Sequence, residues 1–223
     1  MKKILLIIAI TTFLAFTTQA ALIAHWGFDS YTGSTTVLPN DGPQAATATF
    51  TIAGPATLAA GTGTILNDPR IPANASVSLN TSAGTGQNTT TFTIHVNGGN
   101  LSGFIVSFAA NKGTEGARKH TWAYSTDNVN FKDWVISTQS TFSGYSVLQA
   151  NFTGVTAING AQNVYLRDTI TEATGTTSTT DFDNFQLNAT VAIPEPVNVA
   201  LGLFGLGFAG VILGRRLVKF VRR

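Results

Sequence analysis

Residues 21–190 predict an all-β domain, an antiparallel β-sandwich of jelly-roll type, inside a chain of 223 residues. Three observations predict it. Helix formers are scarce: the span holds two Glu (Glu115, Glu172) and three Lys (Lys112, Lys119, Lys132), while Thr, Gly, Ser and Asn dominate. Apolar residues recur at every second position, the period of a strand with one buried face. The runs are short and separated by Gly/Thr/Asn clusters, as in sandwiches rather than βα units. About 170 residues bury an ample single core, and neither a second domain nor a repeat is visible.

Taken from the N-terminus, MKKILLIIAITTFLAFTTQA begins with Lys2 and Lys3, runs apolar from Ile4 to Phe16, and ends with small residues at Thr18 and Ala20. A charged start, an apolar stretch and small residues at −3 and −1 predict a secretory signal peptide over 1–20. Signal peptidase is expected to cut after Ala20, once the secretion machinery has carried the rest of the chain out of the cytoplasm.

Strands follow where alternation is clean. Leu22, Ala24, Trp26 and Phe28 share one face, as do Ala46, Ala48, Phe50 and Ile52. Phe92, Ile94 and Val96 form a third set, and Phe104, Val106 and Phe108 a fourth. Phe185, Leu187, Ala189 and Val191 close the domain. The stretch TWAYSTDNVNFKDW predicts a hairpin with strands near 120–126 and 130–136, because Asp127-Asn128 tolerates positive φ. GTGTILNDPRIPANAS and TEATGTTSTTD predict long loops, the first at one end of the sandwich.

The tail, residues 191–223, differs in kind. Ile193-Pro194-Glu195-Pro196 cannot be helical, since two prolines forbid it. Val197 to Leu213 is then an apolar and Gly-rich run broken only by Asn198. As a helix it measures about 25 Å, near the lower limit for crossing a bilayer. Arg215, Arg216, Lys219, Arg222 and Arg223 follow in the end segment 214–223. Cationic flanks stay on the cytoplasmic side, so the sandwich is placed outside, the orientation that Lys2 and Lys3 also require. The order Pro194-Glu195-Pro196 (motif 193–196), transmembrane helix 197–213 and basic end resembles the PEP-CTERM sorting signal of bacterial exported proteins. The resemblance covers about the last 30 residues, with Ile193 where that family commonly has Val. It implies processing by an exosortase, a membrane-embedded transpeptidase, and delivery to the cell surface or the exopolysaccharide matrix.

Charge sharpens the functional classes. Six of the thirteen basic residues but ten of the eleven acids lie within 21–190, so the domain carries about −4. The sequence pI near 9.0 belongs to the ends and gives no reason to expect nucleic acid as a partner. The absence of Cys excludes disulfides, thiolate nucleophiles and Cys-based zinc sites.

Candidate chemistry is sparse. His25, His95 and His120 fall in no ligand spacing, and His25 and His95 fall on the polar faces of their strands. Asp29, with Asp181, Asp183 and Asn184, makes an oxygen-rich set that suits calcium if the terminal strands pair. The same residues equally make a hydrated polar cluster, and no other cofactor is expected. Trp122, Tyr124 and Trp134 form a sugar platform if they face outward, and core if they do not. Glu115 and Glu172 are the carboxylates a polysaccharide-degrading enzyme would need, but they lie in separate loops. The expectation is therefore an exported, non-enzymatic surface or matrix protein with no catalytic residue. The alternative is a carbohydrate-binding module with a polysaccharide partner.

Overall fold

A computed structural model describes residues 20–29, 31–54, 57–68, 75–80, 89–139, 144–175, 178–191 and 204–205. The chain divides into two units, 1–191 and 192–223. In the second unit the description reaches only Phe204 and Gly205. The signal peptide up to residue 19, the Pro194-Glu195-Pro196 motif, the transmembrane helix apart from Phe204 and Gly205, and the basic end (Arg215, Arg216, Lys219, Arg222, Arg223) lie outside the described residues. Among those described, no helix is long and apolar enough to cross a membrane.

The first unit is all-β, as its composition dictates. Its strands are β1 (Ala21–Trp26), β2 (Thr36–Val37), β3 (Thr49–Ala53), β4 (Thr57–Gly61), β5 (Ser76–Asn80) and β6 (Thr90–Val96). They continue as β7 (Leu101–Lys112), β8 (Lys119–Ser125), β9 (Lys132–Thr138), β10 (Ser146–Asn151), β11 (Val164–Thr171) and β12 (Thr179–Val191). One turn of 3₁₀ helix, Thr156–Ile158, breaks the pattern. The first sheet runs β10-β7-β12-β5-β4, with β1 also on β12; the second runs β2-β3-β6-β11-β8-β9. Every pairing is antiparallel. The two sheets pack face to face as a sandwich around one core, and the chain repeatedly changes sheet, as between β6 and β7 and between β11 and β12.

Aromatic rings join the layers. Phe50 of the second sheet meets Phe185 of the first edge-on at 4.8 Å, and Phe92 meets Phe182 at 5.0 Å. Within the first sheet Phe108 and Phe185 stack at 4.6 Å. Each ring is at most 1% exposed, and burying a Phe contributes roughly 1.5–3 kcal/mol. One ionisable pair shares this interior: His120 Nδ1 lies 2.6 Å from Asp168 Oδ2, and neither side chain has any exposure.

The long strand β12 has two partners along one edge. Thr179–Phe182 pairs with β5, and Phe185–Ala189 pairs with β1. The gap between them falls at Asp183 and Asn184, where the register shifts and Asn184 takes a φ of 50°. Asn tolerates this left-handed conformation better than most residues. A second irregularity, in β1, turns Ile23 inward beside Ala24.

The predicted hairpin is present as β8 and β9, with strands at 119–125 and 132–138. Its loop is longer than a two-residue turn. Asp127 accepts from the Val129 and Asn130 backbone N–H groups at 2.9 and 2.8 Å, and Asn128 takes a φ of 60°.

Candidate functional site

The two outward faces of the sandwich differ. On the first sheet, the segment 62–68 fills the gap along β12. Asp183 Oδ2 accepts from Thr64 N (2.8 Å), and Asn184 Nδ2 donates to the carbonyls of Thr64 (2.6 Å) and Leu66 (2.9 Å). Asn67 donates to the Asn184 carbonyl at 2.7 Å, and Gln186 donates to the Asn67 carbonyl. Tyr145 donates to the Thr62 carbonyl at 2.5 Å. This segment buries what lies below. His25, expected on an exposed face, has no exposure and sits 3.6 Å from the equally buried Asp68.

The carboxylates expected to hold calcium are found here, but they do not converge as ligands. Asp29 lies near enough to Asp183 for their charges to interact, whereas Asp181 is one step away and bonded to Ser78 and Thr179. Both oxygens of Asp183 accept backbone N–H groups, from Thr64 and from Asn184. Among the described residues no three His, Cys, Asp or Glu side chains are grouped to hold a metal. The calcium expectation thus finds no cluster of three carboxylates to rest on among the described residues. Burial instead pushes the Asp183 carboxyl up to about 7, with the Asp29 charge adding to it. It also raises Asp29, opposed by His25, and raises Asp181.

The aromatic platform is corrected at Trp122. Trp122 is 1% exposed and packs on Phe108 and Phe152. Tyr124 is half-buried against the core. Trp134 is 42% exposed, but it lies at the sandwich edge, where its indole N–H donates to the Asn151 carbonyl (2.8 Å). Trp122 is thus core and leaves the set, while Tyr124 and Trp134 meet edge-on at 6.4 Å. Of the two candidate carboxylates, Glu172 is held by Lys119 (3.2 Å) above all and by Arg118 (3.3 Å), which pull its carboxyl down against partial desolvation. A carboxyl so paired is unsuited to be the proton donor a glycosidase needs. Glu115 sits in a loop bonded to the same end, its carbonyl accepting from Thr174 N at 2.9 Å.

On the outward face of the second sheet no described segment lies over β3, β6 and β11, while Ala123 and Ser125 of β8 are buried. Inward positions of β3, β6 and β11 are buried, and the alternate ones are partly exposed. Cross-strand rows on it read Thr49–His95–Tyr165–Ser125, Thr51–Thr93–Arg167–Ala123 and Ala53–Thr91–Thr169–Thr121. His95 and Tyr165 stack at 4.5 Å with 17° between their planes, and Asn163 Oδ1 lies 3.1 Å from His95 Nε2. One row along, the Arg167 guanidinium lies 3.7 Å over the Phe131 ring. Arg167 Nε is buried without a hydrogen-bond partner among the described residues. Two ring systems, a guanidinium and a field of Thr hydroxyls thus share one flat surface of about three strands. Such a surface offers apolar ring faces for the C–H face of a pyranose and hydroxyl-scale donors and acceptors around them. Period-two alternation already put His95 on this face. It missed Tyr165 and Arg167, because Asp168 at an inward position spoils the pattern of β11.

No family model matches the chain, and no curated protein does. Several solved structures are similar in shape. The carbohydrate-binding module TmCBM61, in complex with β-1,4-galactotriose, is 11% identical with a TM-score of 0.44, covering 72% of this chain and 92% of that one. The CBM22-1 xylan-binding domain of Paenibacillus barcinonensis Xyn10C is 11% identical with a TM-score of 0.45, covering 80% and 100%. The enzymatically active domain of tailspike protein 4 from bacteriophage CBA120 is 15% identical with a TM-score of 0.45, covering 65% of this chain and 19% of that one. With TM-scores below one half these likenesses carry no argument: the fold rests on the two sheets, and any functional reading rests on side chains.

Proposed function

We propose that this chain is an exported, non-enzymatic β-sandwich that binds polysaccharide through the open face of its second sheet. The observation that carries the reading is the His95–Tyr165 stack beside the Arg167–Phe131 pair within rows of Thr. The switching of strands between sheets is read as jelly-roll-like. Export and outside placement rest on the sequence, through Lys2, Lys3 and Ala20 at the start and the five basic residues at the end. The tail is read as a sorting signal: an exosortase acts near Pro194-Glu195-Pro196 and leaves the domain at the envelope, the surface or the exopolysaccharide matrix. A binding role suits that location and asks for no reactive group.

A glycan array followed by titration of the full chain tests the binding reading. Tyr165→Ala and Arg167→Ala are expected to weaken the best polysaccharide about tenfold, or ~1.4 kcal/mol each. Unchanged affinity in both variants would remove this face from the account. Mass spectrometry of the mature C-terminus tests the sorting reading: a chain ending before Arg223 supports processing, and surface protein with an intact terminus argues for a permanent anchor.

A further inference from the structure

Between β1 and β2 the chain makes a long excursion, and a cleft of about 310 Å³ opens there. Its apolar side is Phe28, Tyr31 and Val37; Thr32, Thr36 and Asn40 supply polar groups. Two features set it apart from an ordinary surface dimple. Phe28 holds a φ of 54°, a conformation that a bulky side chain adopts only when its surroundings force it. Here the force is packing: the Phe28 ring is fixed edge-on against Tyr31 (6.0 Å), Phe50 (5.3 Å) and Phe185 (6.0 Å). The second feature is the Tyr31 hydroxyl. Tyr31 lines the cleft at 7% exposure, and its oxygen is buried with no hydrogen-bond partner among the described residues. A buried hydroxyl without a partner is costly; it is closed off from solvent, so a guest in the cleft reaches it by displacing the side chains that cover it, and would then relieve that cost.

The donor set defines the ligand. Asn40 Oδ1 already accepts from Gly27 N at 2.8 Å, which leaves its two Nδ2 donors for a guest. No acid or base lines the cleft, and Asp29 and Asp41 flank it in sequence, so anions are disfavoured. An aromatic floor with hydroxyl and amide groups suits a small neutral polyol that has one apolar face. The volume is at the small end of ligand sites, enough for one ring and not for a chain lying flat. We infer that the β1–β2 cleft is a second binding site, for a single neutral sugar unit held by Tyr31 Oη and Asn40 Nδ2. It is independent of the face of the second sheet.

The test uses the full chain, with methyl β-galactoside, methyl β-glucoside and methyl β-xyloside as probes and glucuronate as the anionic control, read by NMR shift perturbation and by melting. At least one methyl glycoside is expected to move the signals of Tyr31 and Asn40, with glucuronate much weaker. Tyr31→Phe removes only the orphan oxygen, so it is expected to melt no lower than the parent in buffer and to bind at least tenfold more weakly. Asn40→Asp keeps the oxygen that Gly27 needs and removes the donors, and is expected to lose binding likewise. The inference is overturned if no glycoside shifts these residues, if glucuronate binds better, if both variants bind as the parent does, or if Tyr31→Phe melts lower in buffer. Tyr165→Ala should leave cleft binding intact, so failure here and failure of the sheet face are told apart.

Discussion

The outer faces of the two sheets start from similar material and end differently. Both carry small polar residues at alternate positions: Ser76, Ser78, Ser107 and Asp181 on one, Thr91, Thr93, Thr169 and Thr121 on the other. On the first sheet, residues 62–68 lie over that surface: Asp183, Asn184 and Gln186 are spent on their backbone, Ser107 accepts from the Asn67 side chain, and Asp181 is held by Ser78 and Thr179. On the second, no described segment does so beyond the ring of Phe131; Thr91 donates to the Ala53 carbonyl (3.3 Å) and His95 meets Asn163, and no bond to an overlying backbone ties up Thr93, Thr169 or Thr121 among the described residues. A polar face is thus not a binding face by composition. What decides is whether the protein's own backbone has already used its hydrogen bonds.

The largest expected effect breaks the covered face. Asn184→Leu removes the donors to Thr64 and Leu66 and forces a branched side chain into positive φ. A loss of about 3 kcal/mol is expected in denaturant unfolding, with polysaccharide affinity per folded molecule unchanged. If affinity fell as well, the two faces would not be independent. Next in size are the tenfold affinity losses of Tyr165→Ala and Arg167→Ala, which should come with little change in melting because both side chains lie on the outer face.

Acidity gives a third contrast. Asp183 is raised to about 7 in the folded state, while an unfolded Asp titrates near 3.9. The folded chain therefore binds the extra proton between those values, and stability rises as pH falls through about 7 toward about 4. Glu172, on the second sheet's side, is depressed by Lys119 and Arg118. Its contribution is present at neutral pH and lost as the carboxyl protonates in acid. Melting followed from about pH 8 to about pH 5 should show the rise, and Asp183→Asn should flatten it. An unchanged slope in that variant would assign the effect elsewhere. The smallest effect lies at the sandwich edge: Trp134→Phe deletes the bond to Asn151 and trims the indole beside Tyr124, with about 1 kcal/mol expected by melting and none in binding.

The architecture was readable where alternation was unbroken. Phe92-Ile94-Val96 and Phe104-Val106-Phe108 gave β6 and β7, and Asp127-Asn128 gave the hairpin. Strands that place a polar residue inward were not readable. β11 carries Asp168 where an apolar residue was expected, because His120 on the neighbouring strand answers it at 2.6 Å, and that partnership lies 48 positions away in sequence. The same limit misplaced His25, whose burial depends on a loop over forty residues later. Alternation groups the residues of one face but cannot say whether an aromatic face is core or an exposed platform. Trp122 thus entered the sugar platform and turned out to be core, while Tyr165, which is on the open face, was passed over. The β1–β2 cleft had no sequence signal at all, since Tyr31 and Asn40 meet only through the turn at Phe28.

The shared strand β12 has a consequence for how the molecule comes into being. β1 and β5 both dock on it, and so does β7, yet it is the last strand of the domain. A ribosome or a translocon delivers the N-terminus first, so these earlier strands wait with open edges until residues 179–191 arrive. Closure is therefore a late, long-range event, and synthesis that stops before residue 191 leaves an aggregation-prone half-sheet rather than a smaller sandwich.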